Sequence, residues 1–357
     1  MYRVSQPYAP GATPVWTTYT YDGIGRTLTV TAPDGSVTRY SYQGNQTTVT
    51  DPAGKWKTTV TDAQGNLTQV IEPNPGGGAN FVTSYTYDGM NHLTGVTMTR
   101  PEGTQTRSFV YTGPDLTSAT NPENGTTTYT YNGAHQVLMR TDANRNQTNY
   151  TYDGYGRLTQ VQHFGNGHNG DGWTYTYDTP IDSGFGATNT WGRLAAVQFG
   201  GSAPGFTYEY GYSTAGRITK QRMVATGLPP GQFAPSNQTL DATYTWDNEG
   251  RVVSEGYPAW GSVYTYSFDV MGRPNSLSVV NGYISDGTVA TAAYGPAGEM
   301  TSLSHDGYNE TRTYNSLLQL TRQTVPGVFD MEYVFPGGAN NGQISSSIDH
   351  ISGQQVN

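Results

Sequence analysis

Tyr150-Thr151-Tyr152-Asp153-Gly154-Tyr155-Gly156-Arg157-Leu158 is the stretch that decides how this chain reads. Tyr150 and Tyr152 are two residues apart, so in an extended chain they share one face and Thr151 takes the other. Tyr and Thr both suit a pleated, half-buried surface. Asp153 can bond the backbone two residues on, and Gly156 can take the positive φ that closes a short hairpin loop. Leu158 then opens a returning strand. The phrase therefore encodes a β-hairpin.

The same frame stands at Tyr19-Thr20-Tyr21-Asp22-Gly23-Ile24-Gly25-Arg26-Thr27-Leu28. Looser copies begin at Tyr85-Thr86-Tyr87-Asp88, at Tyr244-Thr245-Trp246-Asp247 and at Tyr266-Ser267-Phe268-Asp269. The last two run on to Gly250-Arg251 and Gly272-Arg273. Between the copies lies a second kind of turn, as in Ala32-Pro33-Asp34-Gly35 and Asp51-Pro52-Ala53-Gly54. There Pro presets φ and Gly supplies the left-handed position. Two alternating turn types make an antiparallel meander. Recurrence every 20 residues or so, roughly, marks a repeat architecture rather than a compact catalytic domain.

The expected fold is all-β, built of antiparallel β-hairpin repeats. Residues 1–357 are expected to form a single repeat array. Strand patterns run up to both ends without a cap, so the chain reads as a segment of a longer one. Surface excursions are expected at 163–173, which is rich in Gly and Asn, and at 225–241, which is rich in Pro.

Composition narrows the function. Charged residues make up 13% of the chain, against about 25% in ordinary domains. Aliphatic residues are few, so much of the buried area must come from aromatics, of which Tyr alone supplies 28. A net charge of −9 argues against nucleic acid as a partner. The chain has no cysteine, so it uses neither disulfides nor thiolate metal sites. No run approaches 18 apolar residues, so no membrane span is expected in this chain. Abundant Thr with little Lys is the composition of secreted β proteins, and an extracellular or cell-surface location is expected.

No constellation of catalytic, cofactor-binding or metal-binding residues stands outside the repeat. His163, His168 and Asp171 read as a polar loop rather than a metal site. Ser304-His305-Asp306 is a triad in order only, because neighbours in a strand point to opposite faces. Asp22, Asp88, Asp153, Asp247 and Asp269 recur at each turn and read as turn residues. Arg26, Arg157, Arg193, Arg217, Arg251 and Arg273 read as covers for aromatic faces or as partners for carboxylates of neighbouring repeats. The residues expected to carry the structure are these together with Tyr19, Tyr21, Gly25, Tyr85, Tyr87, Tyr150, Tyr152, Gly156, Gly250 and Gly272.

The frames at 19–28 and 150–158 resemble the YD repeats of the Rhs family, as do Tyr314-Asn315-Ser316-Leu317-Leu318-Gln319-Leu320 and Asn340-Asn341-Gly342-Gln343-Ile344 near the C-terminal end. The resemblance implies a long sheet that spirals into a solenoid-like hollow shell. In bacterial members the shell encloses a C-terminal toxin, and teneurins use a similar shell in adhesion. It also implies a self-cleaving aspartate site, of which Asp51-Pro52-Ala53-Gly54 matches one piece alone and reads as an ordinary turn. The function so implied is structural and non-enzymatic: a stretch of a secreted bacterial shell around a cargo domain. Its partners are neighbouring repeats, the enclosed cargo and, in isolation, further copies of itself. The alternative is an extracellular fibre or adhesin that binds glycans or proteins through Trp173, Trp191 and Trp260.

Overall fold

The computed structural model describes residues 2–200, 205–227, 238–258, 261–280 and 286–357. Among these residues are thirty strands and a single helical turn, the 3-10 turn Ser183–Phe185. The fold is antiparallel β, as the period-2 pattern requires.

The chain divides into two compact units. One holds Met1–Thr106, Phe268–Ser276 and Val289–Asn357; the other holds Arg107–Ser267 and Leu277–Thr288. In the first, the strands Trp16–Tyr21, Thr27–Thr31, Val37–Gln43, Gln46–Thr50, Trp56–Thr61, Leu67–Glu72, Phe81–Tyr87 and Leu93–Arg100 each pair antiparallel with the next. In the second, the strands from Asp115–Asn121 to Val263–Phe268 follow the same rule.

Register repeats as faithfully as sequence does. Tyr19 faces Val30, Tyr85 faces Val96 and Tyr150 faces Val161 across their hairpins. Aromatic and β-branched pairs of this kind stabilise a sheet by a few tenths of a kcal/mol, up to about 1. One residue later each ladder slips, between Thr20 and Tyr21, Thr86 and Tyr87, and Thr151 and Tyr152. A bulge at this point bends its strand and increases its twist.

Burial is thin. The accessible surface is 21223 Å², whereas a compact monomer of this mass exposes roughly 14,000 Å² by surface scaling. Among the described residues few apolar side chains are buried; they include Val161, Phe185, Ala195, Ala196 and Val279. Thr83 and Thr127 are also buried, and both fall on the tyrosine side of their strands by spacing. Hydroxyls pair across the strands: Thr48 with Thr58 at 2.7 Å and Thr120 with Thr126 at 2.8 Å. Polar pairing does part of the work that aliphatic packing does in an ordinary core.

The two expected excursions turn out differently. Residues 163–173 are not an irregular loop: they belong to a hairpin of Leu158–Gly165 with His168–Tyr177, in which His163 faces Asp171. Alternation of side chains persists through the Gly-rich stretch, and Gly172 lets the backbones approach closely (an added Cβ would lie 1.9 Å from the Val161 carbonyl oxygen). Of 225–241, the two ends lie in the strands Ile218–Thr226 and Gln238–Trp246, and 228–237 lie outside the described residues.

Candidate functional site

The turn of the repeat is where the geometry is most consistently built. Asp22 ends its strand, and its carboxylate closes the loop that follows. Oδ1 accepts the backbone N–H of Ile24 at 3.1 Å and that of Arg26 at 2.9 Å, and Oδ2 accepts Arg26 Nε at 2.7 Å. The Gly25 N–H donates to the Asp22 carbonyl, and the Asp22 N–H to that of Arg26. Gly25 stands at φ 85°, the left-handed residue that follows a type I turn in a three-residue hairpin loop. Hydrogen bonds from the Arg26 side chain and from the backbone hold the Asp22 carboxyl below its ordinary range.

The same clamp recurs at Asp153 with Gly156 and Arg157, at Asp247 with Gly250 and Arg251, and at Asp269 with Gly272 and Arg273. At Asp88 the fifth position is His92, whose Nδ1 lies 3.0 Å from Asp88 Oδ2, and Asn91 takes the left-handed place. Two turns use an amide in place of the acid. Asn132 and Asn315 donate through Nδ2 to Gln136 Oε1 at 2.9 Å and Gln319 Oε1 at 2.7 Å. Acid stands opposite a donor, and amide opposite amide.

The fifth-position side chain also reaches the next repeat. Arg157 meets Asp178 through two bonds, at 3.1 and 2.8 Å. Gln136 Nε2 donates to the Gly156 carbonyl at 2.7 Å, and Arg273 Nη1 to that of Gly295 at 2.6 Å. Each guanidinium lies over the next repeat's ring: Arg26 at 4.2 Å from the Tyr42 centroid, Arg157 at 4.4 Å from Tyr177, Arg273 at 4.9 Å from Tyr294.

That ring closes the circuit. Tyr42, Tyr87, Tyr131, Tyr152, Tyr177, Tyr212, Tyr294 and Tyr314 each donate their hydroxyl to a carbonyl at the start of the preceding hairpin's returning strand. The acceptors are Thr27, Leu67, Leu116, Val137, Leu158, Leu194, Pro274 and Met300, at 2.6–3.0 Å. Trp246 makes the same bond with its indole N–H, to the Ile218 carbonyl at 2.7 Å. Burial pushes the phenols of Tyr152, Tyr177 and Tyr212 above their usual range.

One turn departs from the frame, and the sequence reading missed it. Asp178 and Gly192-Arg193 keep the repeat's ends: the Asp178 N–H donates to the Arg193 carbonyl at 3.0 Å, and the Gly192 N–H to Asp178 Oδ1 at 2.6 Å. Residues 179–191 stand where Gly23-Ile24 stand in the ordinary turn. This insertion folds back on its own sheet. Phe185, 1% exposed, lies under Lys220 Nζ at 4.7 Å and the Arg222 guanidinium at 5.1 Å. Arg222 bonds Asp241 through two nitrogens and Asp182 through the third. Glu209, 1% exposed, accepts the Asp182 N–H at 2.7 Å. The signal was present as Tyr177-Asp178 followed at a distance by Gly192-Arg193-Leu194. It is hard to see because residues 179–191 separate the Asp from the Gly-Arg, where the ordinary frame has two residues.

The other sequence candidates stay apart from any such assembly. His168 Nδ1 lies 2.8 Å from Asp171 Oδ2, and His163 packs edge-on against Trp173. Among the described residues no group of three or more His, Cys, Asp or Glu stands at metal-holding distances. Ser304 Oγ bonds Asn309, and Asp306 occupies a left-handed turn position. Asp51 closes an ordinary turn with Lys55. Trp191 is 80% exposed and Trp173 40%; Trp260 lies outside the described residues.

Comparison with known proteins agrees with this geometry. The RHS Repeat family model matches residues 21–55 and 112–147, so this chain carries RHS repeats. No curated protein matches it. Among solved structures, the crystal structure of TcdB2-TccC3 superposes with a TM-score of 0.75 at 15% identity, over 94% of this chain and 18% of that one. The Tc holotoxin pore of Photorhabdus luminescens superposes with the same score at 14% identity and the same coverage. The chain thus shares their fold and spans less than a fifth of their length.

Proposed function

We propose that this chain is a non-enzymatic stretch of wall in a larger Rhs-type protein, secreted or displayed by a bacterium, whose repeats enclose a C-terminal cargo such as a toxin. The observation that carries this reading is the interlock. Nearly every polar group that recurs is committed to a clamp within its own turn or to a bond with the next repeat. Such groups are bound by structure and are not free for proton transfer or nucleophilic attack. The likeness of fold to Tc toxin structures supports the same reading.

Limited proteolysis of the native full-length protein tests it. With the repeats intact, the downstream domain should survive protease at concentrations that digest the same domain once separated. Equal digestion of both contradicts enclosure. A panel of hydrolase substrates offered to residues 1–357 should give no turnover, and turnover abolished by one His or Asp substitution would contradict the structural role.

A further inference from the structure

A carboxylate of the second unit stands among tyrosines rather than beside a cation. Glu255, in the strand Val252–Gly256, faces Tyr244 across one ladder and Tyr264 across the other. In three other hairpins of the frame the place opposite the first tyrosine belongs to Val30, Val96 and Val161. Here it holds an acid, and the acid is half-buried. Among the described residues no Lys, Arg or His forms an ion pair with it; its Oε1 accepts the Tyr266 hydroxyl at 2.9 Å. Burying a charge away from an opposite charge costs free energy, so the exchange of valine for glutamate calls for a reason.

The surroundings supply one. Alternation puts Tyr257 on the face of Glu255, and Tyr266 on that of Tyr264. Tyr257 and Tyr264 meet edge to face, with centroids 5.7 Å apart and planes at 86°. Tyr257 is 51% exposed, so the group opens to solvent at that corner. The Glu255 charge raises the Tyr257 phenol, with burial and a hydrogen bond to Glu255 adding to it. Burial, together with the bond to Glu255, pushes the Tyr266 phenol up to about 12. Four phenols and an unneutralised carboxylate thus share one patch. Aromatic faces attract a cation that lies within about 6 Å of the ring centroid. A metal ion suits the patch poorly: hard cations such as calcium take roughly six to eight oxygen ligands, and this patch holds one carboxylate already bonded to a phenol.

We infer that Glu255 with Tyr244, Tyr257, Tyr264 and Tyr266 forms a binding site for a small organic cation bearing a quaternary ammonium group. Such a group carries no N–H. It asks for negative charge and ring faces rather than for free hydrogen-bond acceptors, and those are what the patch offers. Its methyl groups cover ring surface while its charge offsets that of Glu255. The inference goes beyond the scaffold reading and does not depend on it.

Isothermal titration calorimetry of residues 1–357 with choline tests it. The control ligand is the uncharged isostere of choline, with a tert-butyl group in place of trimethylammonium. Choline should bind saturably, and the isostere should bind more weakly by roughly tenfold or more, because it lacks the charge. Glu255→Val restores the residue that the other hairpins carry, so it should fold, and it should weaken choline binding by a similar factor. Tyr257→Ala alters an exposed ring and should weaken choline binding too. Circular dichroism confirms that each variant is folded. Absence of saturable choline binding, or equal binding of choline and its isostere, overturns the inference. So does a folded Glu255→Val or Tyr257→Ala chain that binds choline as the wild type does. The comparison of the two ligands needs no variant, so it decides even where a variant fails to fold. Each of these results leaves the scaffold reading in place.

Discussion

The left-handed position of the turn shows how strictly a single residue is constrained here. Gly25 and Gly156 occupy it at φ 85° and 78°, while Arg145 at 66° and Leu318 at 60° occupy the same place with a side chain. An L-residue in this region costs roughly 1–2 kcal/mol. Gly25→Val should therefore lower stability by at least about 1 kcal/mol, with the denaturant midpoint as the readout. Leu318→Gly should raise that midpoint despite the entropy glycine adds to the unfolded chain, which offsets about 0.5–1 kcal/mol of the gain. The hydroxyl ladder makes a second residue-level claim. Tyr152→Phe strands the Val137 carbonyl and should cost about 1 kcal/mol. Trp246→Phe should cost a similar amount at the Ile218 carbonyl. Midpoints equal to wild type in both would show that the ladder contributes nothing.

At the scale of the element, the insertion at 179–191 is the least repeat-like part of the chain and has the most apolar anchor. Phe185→Ala should cost about 3–5 kcal/mol, as expected for emptying a buried aromatic site. The loss should appear as early hydrogen exchange in the strands Gly205–Tyr212 and Ile218–Thr226, which the insertion covers. Uniform exchange in the variant would show that the insertion is only draped over the sheet. The elements also show how much could be read beforehand. The hairpins, both turn types and the left-handed Gly25 and Gly156 followed from Tyr-x-Tyr alternation and turn chemistry, because those signals are local. That Arg157 meets a carboxylate of the next repeat followed too, though not that the carboxylate is Asp178; the seating of Phe185 and the burial of Glu209 did not. Each depends on which repeat lies beside which, and alternation within one strand says nothing of that. The hydroxyl ladder falls between: its tyrosines were evident from spacing, but their acceptors lie in the preceding hairpin.

Across the whole molecule the turn carboxylates act together. Asp22, Asp88, Asp153, Asp247 and Asp269, together with Asp62 and Asp142, whose carboxylates accept the side-chain amides of Asn66 and Asn146 in the same kind of turn, are all held below the ordinary value of 3.8. A carboxyl with a depressed folded pKa contributes stability above its unfolded pKa and loses that contribution as pH falls through the folded one. The denaturation midpoint should stay level from neutral pH to about 5 and fall below about 4, as successive clamps protonate. Stability that rises on acidification would mean the clamps are not ionic. The proposed wall makes the largest claim, and single-particle electron cryomicroscopy of the native full-length protein tests it most directly. The expected image is a closed particle in which the repeats at 1–357 form part of a wall with density held inside. Repeats running on as an open fibre, with nothing enclosed, would contradict it.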